Sequence, residues 1–335
     1  MLNYLLYFIL ALVLAGCSQA IPLQPPPVAR APAAYTPVAI TNYDAAGNPV
    51  LYTYHRPPAR VAVTHPGATE LLLALGLKDH ILATVAPYGP PLASVSTEYA
   101  ALNIIPARYA PTAEEVLAMQ PDMIIGWAHH FNDSTLGDVY SWHERGIATF
   151  VMLSSLTKTK PTLDSALYTL LADMGRIFAV EDKAALLIKN YQSRLARVEQ
   201  SLQSVKNKKT VMVLQDQGNG QFVLYDSSYL IGTMIALAGG KHIAVDVESV
   251  VGAERVLAYD PDFILFVSQG KSSTENLPDA DAIAHLQQLD ELTSMRAIRD
   301  GHIINLPFFT VNNGGVRTVD AIEQIARELY PEQFK

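Results

Sequence analysis

Aromatic and imidazole side chains gather in one short stretch, directly after a predicted buried strand that ends near residue 126. The stretch contains Trp127, His129, His130 and Phe131. In open α/β sheets, ligands bind beyond the carboxyl ends of the strands. Aromatic rings offer a flat or apolar ligand a large contact area with little loss of side-chain entropy. We therefore predict that these four residues bind a small molecule; the alternative is a tryptophan that packs in the core.

The adjacent histidines also suggest a metal ion as the ligand. Neighbouring residues point in different directions, so two adjacent histidines rarely bind one ion, and zinc needs further ligands from elsewhere. His65, just past an earlier predicted strand, is one such candidate. The second half of the chain contains no matching pair of ligands. We therefore predict no metal site.

Further candidates for ligand contact lie at other predicted strand ends and in the last long loop, which contains the pair Phe308-Phe309. An arginine there or at position 108 suits an anionic chelate, because its planar fork of donors binds carboxylate or catecholate oxygens. The remaining predicted ligand-binding residues are Tyr88, Arg108, Gln217, Phe222, Tyr225, Phe309, Asn312 and Arg317.

The chain lacks the local motifs of common enzymes. No Gly-x-Ser-x-Gly, His-Glu-x-x-His, P-loop or Gly-x-Gly-x-x-Gly pattern occurs in it. We therefore predict a binding protein with no catalytic residues and no cofactor. A hydrolase whose site is assembled only by folding, and a structural adhesin with a flat surface, are the alternatives.

A repeated segment indicates how these residues are positioned. Residues 111–127 and 251–267 align without a gap and are identical at eight of seventeen positions. Each copy has a helical segment, a Pro-Asp turn and an apolar run that suits a strand buried on both faces of a parallel sheet. Such widely separated helix–turn–strand copies predict two similar lobes.

Strands and helices alternate along both halves of the chain. Apolar runs of strand length occur near residues 60–64, 81–85, 122–126, 147–152, 210–214, 221–225 and 302–306. Segments typical of helices lie at 66–75, 133–146, 228–237 and 316–329, and a hairpin is predicted within 38–55. This alternation predicts an α/β fold of parallel sheets with flanking helices.

One segment interrupts the alternation. Ile188, Tyr191, Leu195, Val198 and Leu202 recur at steps of three and four, which predicts a single long helix with one apolar stripe. We predict two Rossmann-like lobes, an N-terminal lobe at 38–180 and a C-terminal lobe at 207–335, joined by this connecting helix at 181–206. Because one helix is a stiff link, the cleft between the lobes should close only slightly on a ligand.

The beginning of the chain has the pattern of a secreted lipoprotein. Residues 1–16 form an apolar run typical of a signal peptide, and Leu-Ala-Gly before Cys17 resembles a lipobox. Cys17 is the only cysteine, so no intramolecular disulfide can form. Residues 17–37 are rich in proline and predict an extended tether. We expect an extracytoplasmic protein anchored to a lipid bilayer through acylated Cys17.

The charge of the chain limits its partners. The formal net charge is −8, and no block of Lys or Arg occurs after residue 37, so we predict no contact with nucleic acid. No second apolar run approaches the length needed to span a bilayer. We expect the body of the protein to be a monomer.

Together these features resemble the substrate-binding lipoproteins of ABC importers, of the class that captures iron–siderophores, haem and cobalamin. The resemblance is carried by the lipobox, by Thr69-Glu70-Leu71, by Leu237-Ala-Gly-Gly240 and by the repeated segment. It implies that one glutamate on each lobe, Glu114 and Glu254, docks onto the dimeric permease, and the pseudo-two-fold pair fits such a partner. Each glutamate could instead merely stabilise a helix N-terminus.

The resemblance also restricts the cargo. Trp127 matches a tryptophan that contacts the corrin in cobalamin-binding relatives, whereas Arg108 and Glu248 stand where those relatives have aromatic residues. We therefore predict an iron(III)–siderophore-type chelate, with cobalamin or another corrinoid as the second candidate and haem as the third.

Overall fold

The computed structural model of the protein describes residues 35–107, 110–156, 160–244, 250–269, 279–311 and 314–335. The predicted signal peptide, Cys17 and most of the predicted tether lie outside the described residues. The first described element is the predicted hairpin, in which β1 (Val38–Tyr43) pairs antiparallel with β2 (Pro49–Tyr54).

The first lobe is built on a parallel sheet with strand order β5-β4-β3-β6-β7. Its central strand β3 is buried on both faces, as the unbroken apolar run predicts. The five strands are β3 (Val61–Val63), β4 (Ile81–Val85), β5 (Ile104–Ile105), β6 (Met123–Gly126) and β7 (Ala148–Val151).

The helices of the first lobe confirm most of the predicted segments, but the helix predicted for 133–146 is wrong in extent. It begins only at Val139, because the carboxylate of Asp138 caps it by accepting hydrogen bonds from the backbone N–H groups of Tyr140 and Ser141. The helices are α1 (Pro66–Ala74), α2 (Ser96–Ala100), α3 (Ala113–Ala118), α4 (Val139–His143) and α5 (Thr169–Phe178).

The predicted connecting helix is α6 (Glu181–Leu202), which ends four residues before the predicted limit. It packs against α5 of the first lobe and against two helices of the second lobe. Arg194 on this helix donates hydrogen bonds to both carboxylate oxygens of Glu323, at 2.9 and 2.8 Å. The link between the lobes is therefore attached to both of them.

The second lobe has the predicted α/β fold with flanking helices, and its sheet is mixed rather than parallel throughout. β9 and β11 run antiparallel to their neighbours, in the order β11-β9-β8-β12-β13, and β10 pairs with β8. Residues 218–220 all have positive φ and form a turn too short for a parallel crossover. The strands are β8 (Thr210–Gly218), β9 (Gln221–Leu224), β10 (Lys241–His242), β11 (Val250–Gly252), β12 (Phe263–Ser268) and β13 (Ile303–Pro307).

Helices cover the second sheet as well. The last of them, α12, turns a strongly apolar face towards the core, where Ile322 and Ile325 are fully buried. The helices are α7 (Leu230–Leu237), α8 (Ala253–Leu257), α9 (Asp279–Gln287), α10 (Arg296–Arg299), α11 (Phe308–Val311) and α12 (Thr318–Leu329). Among the described residues, no helix combines the length and the apolar character needed to cross a membrane.

The repeated segment adopts the same local structure in both lobes, as α3–β6 and as α8–β12. The repeated aspartate makes equivalent hydrogen bonds in the two lobes. Asp122 accepts hydrogen bonds from the backbone N–H groups of Ala59 and Arg60, before β3, and Asp262 accepts from the N–H of Thr210, at the start of β8. Each aspartate therefore ties its strand to the neighbouring one, which explains its place in the repeat.

Candidate functional site

A cleft of about 270 Å³ lies between the two lobes. The first lobe contributes residues that follow β6 and β7, namely Trp127, His129, Ser154 and Ser155. The second lobe contributes residues of β9 and the turns after β9 and β13, namely Val223, Tyr225, Tyr229 and Phe308. We call this space the aromatic cleft. It lies beyond the carboxyl ends of the first-lobe strands, where the sequence predicts ligand contacts.

Contacts with neighbouring residues fix the position of the Trp127 ring. Its ring stacks on His65 with centroids 4.0 Å apart, and Phe308 approaches across the cleft at 6.4 Å. The following backbone N–H, of Ala128, donates a 2.8 Å hydrogen bond to the hydroxyl of Ser155. Gly126 permits this arrangement, because a Cβ there would lie 2.3 Å from the Thr64 hydroxyl oxygen.

Two buried polar atoms in this stack have no hydrogen-bond partner among the described residues. The indole Nε1 of Trp127 and the imidazole Nε2 of His65 are buried and make no hydrogen bond to any described residue. An unpaired buried polar atom costs about 1–3 kcal/mol. Trp127 also lines the cleft, and an unsatisfied buried donor beside a cleft needs an explanation such as a ligand or an ordered water.

The three histidines around Trp127 occupy different positions. His65 caps α1 by accepting a hydrogen bond from the N–H of Gly67, and His130 is buried within the lobe, 3.0 Å from the hydroxyl of Thr64. Only His129 lines the cleft. In the described part of the chain, no group of three or more His, Cys, Asp or Glu residues is arranged to hold a metal ion.

Burial keeps all three imidazoles uncharged. It lowers the pKa of His65 far below the ordinary value, with a further contribution from the neighbouring histidines. Burial, assisted by His129, lowers the pKa of His130 to about 3, and burial alone lowers that of His129. The first-lobe wall is therefore neutral at physiological pH.

The predicted residues of the second lobe separate into two groups. Tyr225 lines the cleft, donates a 2.7 Å hydrogen bond to the side-chain oxygen of Gln215 and packs edge-on against Tyr229. Phe222 lies in the core of the lobe, and Gln217 is exposed at the end of β8. Because side chains alternate along β9, the position that faces the cleft beside Tyr225 is Val223, two residues earlier.

Arg317 and Phe309 line a different inter-lobe cavity, of about 400 Å³. The guanidinium of Arg317 donates to both carboxylate oxygens of Glu70, at 2.7 and 2.6 Å, and to the carbonyl of Pro90 at 2.7 Å. It also lies 4.7 Å from the ring centroid of Phe309. We call the Glu70–Arg317 contact the junction. Glu70 therefore neutralises the positive charge of Arg317 inside the protein.

Several predicted residues remain apart from the cleft. Tyr88 contacts His65 edge-on at 5.6 Å, behind the stacked pair, and Phe131 is buried in the first-lobe core. Arg108 and Asn312 lie outside the described residues. The sequence interpretation missed Ser154 and Ser155, although they follow the predicted strand 147–152 and the same strand-end rule points to them.

The two repeated glutamates are exposed at matching positions of α3 and α8. The N-terminus of α3 is capped by reciprocal hydrogen bonds between Thr112 and Glu115. Glu114 takes no part in this cap. Across the described residues, neither Glu114 nor Glu254 has an ion-pair partner. Both acidic side chains therefore face solvent, as a docking role requires.

Comparison with known proteins places the whole body of the chain in one group. A family model described as periplasmic binding protein matches residues 61–309. YvrC of Bacillus subtilis, an uncharacterized ABC transporter substrate-binding lipoprotein, is 21% identical over 330 residues, which cover 97% of this chain and 95% of YvrC.

Solved structures show the same fold. A periplasmic binding protein from Veillonella parvula has a TM-score of 0.76 and 26% identity, with 89% of this chain and 93% of that chain covered. The Fe3+-hydroxamate transport protein from Saccharomonospora viridis has a TM-score of 0.67 and 24% identity, covering 87% and 98%. The haem-binding protein RhuT from Roseiflexus, in apo form, has a TM-score of 0.64 and 20% identity, covering 82% and 98%.

Proposed function

Because this chain belongs to the periplasmic binding protein family, whose members are non-enzymatic substrate-binding components of transporters, we propose that its aromatic cleft captures an iron(III)–siderophore-type chelate. The main support for this proposal is the lining of the cleft. The rings of Trp127, from the first lobe, and of Tyr229 and Phe308, from the second, line the same space. Rings supply contact area to a bulky chelate, and the unpaired indole N–H of Trp127 would gain an acceptor oxygen from it.

The cleft is smaller than the ~300–1,000 Å³ typical of small-molecule pockets. A siderophore complex would therefore project from the cleft or separate the lobes. The single connecting helix α6 and its contacts with both lobes favour a small separation rather than a wide hinge motion.

The cargo is tested by calorimetric titration of the metal-free protein with a panel of ferric chelates, a corrinoid and haem. We expect at least one ferric chelate to bind tightly, with a stoichiometry of one. Binding of the corrinoid or of haem alone would assign the protein to that cargo, and turnover of a chromogenic ester would point to the hydrolase alternative. A folded protein that binds none of them would contradict the proposed class of cargo.

The same proposal extends to delivery. Glu114 and Glu254, exposed at equivalent points of the two lobes, would pair with basic residues of the two permease subunits, so that the cargo is released at the pore. Acylation of Cys17 would hold the protein near the membrane, with residues 17–37 as a tether. The lipoprotein relative supports this anchoring. Loss of fatty-acid labelling in Cys17→Ala, but not in Ser18→Ala, is the expected result.

A further inference from the structure

The eight identities of the repeated segment divide into those that the fold explains and those that it does not. Members of the first group are buried, pack against a core or tie neighbouring strands together. They are Ala113/Ala253, Val116/Val256, Pro121/Pro261, Asp122/Asp262 and Ile124/Ile264. Members of the second group are exposed in both lobes, so folding does not require their identity. They are Glu114/Glu254, Leu117/Leu257 and Ala118/Ala258.

The two leucines are the unexpected members of the exposed group. Leu117 is 42% exposed and Leu257 is 39% exposed. A single exposed leucine is ordinary, and leucine favours helices. Glutamate and arginine favour helices to a similar degree, and the chain places them at a neighbouring exposed position, as Glu115 in one lobe and Arg255 in the other. Helix propensity therefore does not account for an apolar side chain at both 117 and 257.

The exposed identical residues lie on one side of each helix. In α3, Leu117 follows Glu114 by three residues, which places the two side chains about 60° apart around the helix axis. Ala118 lies about 40° from Glu114 on its other side, whereas the variable position 115 lies about 160° from Leu117. The same spacing holds in α8. We call these two surfaces, 114/117/118 and 254/257/258, the paired patches.

The composition and the duplication of the paired patches indicate the kind of partner. Two copies of one patch on a single chain fit a partner with two equivalent sites, such as a dimer with a two-fold axis. Each site of the partner needs a cation for the glutamate and an apolar hollow for the leucine, and the small alanine lets its backbone approach. A second copy of this chain fits poorly, because patch against patch would bring glutamates together.

We propose that Leu117 and Leu257 are the apolar anchors by which the protein binds the two permease subunits. This inference rests on the proposed function, which names the permease as the partner, and it adds the source of the binding energy. Removing the exposed surface of each leucine from water stabilises the complex. Exposed charges mainly accelerate and orient the encounter. The leucines therefore set the lifetime of the complex, and the glutamates set its rate of formation.

This division of roles is tested by surface plasmon resonance with the cognate permease dimer in lipid nanodiscs. We expect Leu117→Ser and Leu257→Ser each to raise the dissociation rate constant ~5–10-fold, because a buried apolar anchor is lost. The increase should be the same at low and high salt. Glu114→Gln and Glu254→Gln should instead lower the association rate constant, and this effect should shrink as salt screens the charges.

Matched variants exclude trivial causes. Leu186→Ser changes a leucine of α6 that is 70% exposed and lies outside the paired patches, and it should leave both rate constants unchanged. Leu117→Met keeps an apolar side chain of similar volume and should retain the slow dissociation of the unmodified protein. The urea midpoints of Leu117→Ser and Leu257→Ser should equal that of the unmodified protein, since neither side chain is part of a core.

The outcomes separate this inference from the proposed function. Unchanged dissociation in both serine variants, with slower association in the glutamine variants, would overturn the anchoring role while docking through the glutamates stands. An equal loss in Leu186→Ser would overturn it as well, because any exposed leucine would then suffice. If the unmodified protein does not bind the permease, or if the glutamine variants bind exactly as it does, the docking part of the proposed function fails.

Discussion

The junction and the Trp127 wall of the aromatic cleft differ in how their polar groups are satisfied. At the junction, Glu70 and Arg317 form a two-pronged ion pair, and Pro90 and the N–H of Leu92 occupy further hydrogen-bonding positions. In the aromatic cleft, the indole N–H of Trp127 has no partner among the described residues. A satisfied contact holds two lobes together, whereas an unsatisfied one is a position for a ligand. The difference supports a structural role for the junction and the proposed binding role for the aromatic cleft.

The largest expected effect is the loss of the junction. Glu70→Gln leaves the buried guanidinium of Arg317 without its carboxylate and should lower the free energy of unfolding by ~3–5 kcal/mol. Urea denaturation measures it. Asp320→Asn, which removes a half-exposed carboxylate next to Arg194, is the matched control and should cost less than ~1 kcal/mol. If Glu70→Met combined with Arg317→Met is no more stable than Glu70→Gln, the ion pair is not the source of the loss.

The next effect concerns the aromatic cleft. Trp127→Ala removes the ring that stacks on His65 and faces Phe308, and should weaken chelate binding by at least ~2 kcal/mol, or ~30-fold. Calorimetry of the chelate that binds best to the unmodified protein measures this. Tyr140→Ala, at an exposed position outside the cleft, should bind as tightly as the unmodified protein. Unchanged affinity in Trp127→Ala would contradict ligand binding in the aromatic cleft.

A pH effect is expected from His130, which is buried in the first lobe behind the cleft. The pKa of His130 falls from 6.5 to about 3 on folding, so the unfolded chain takes up a proton first as the pH decreases. Stability from this group is complete above pH 6.5 and decreases below it, by ~2 kcal/mol between pH 7.5 and pH 5. His130→Asn should reduce this slope in urea denaturation, whereas the exposed His55→Gln should retain it. Equal slopes in the two variants would contradict the burial of an uncharged His130.

The smallest effect on the isolated protein is expected outside both regions. Glu114→Lys and Glu254→Lys should change stability by less than ~0.5 kcal/mol, because both side chains are exposed. Chelate affinity should also stay unchanged, but cargo uptake into permease-containing vesicles should fall. Glu98→Lys, an exposed glutamate of α2, is the control. Uptake that is equally reduced by all three variants would indicate a general charge effect rather than docking.

Much of the fold follows from local patterns in the sequence. The repeated segment, the long apolar stripe of α6 and the buried runs of β3 and β6 are each decided by residues close together in the chain. The turn at 218–220 makes β9 run antiparallel to β8. The predicted alternation of strands and helices does not indicate the backbone conformation of this turn. The alternation of strands and helices predicted two lobes, but it did not predict that β9 runs antiparallel to β8.

The candidate site was predicted less completely, for a geometric reason. Trp127 and His129 were found because they directly follow a buried strand. On β9 the sequence drew attention to the bulky Phe222, but the alternation of side chains directs Phe222 to the core and Val223 to the cleft. The junction joins residues 247 positions apart, and no local pattern predicts such a pair.

The fluorescence of the two tryptophans tests ligand binding in the aromatic cleft most directly. The chain contains only Trp127, in the cleft, and Trp142, which is buried in the first-lobe core with its indole N–H bonded to Leu136. Trp142→Phe leaves Trp127 as the sole reporter, and Trp127→Phe leaves Trp142. On titration with the ferric chelate that binds best to the unmodified protein, we predict strong, saturable quenching of Trp127 and much weaker quenching of Trp142. Quenching of Trp142 that equals or exceeds that of Trp127 would contradict binding in the aromatic cleft.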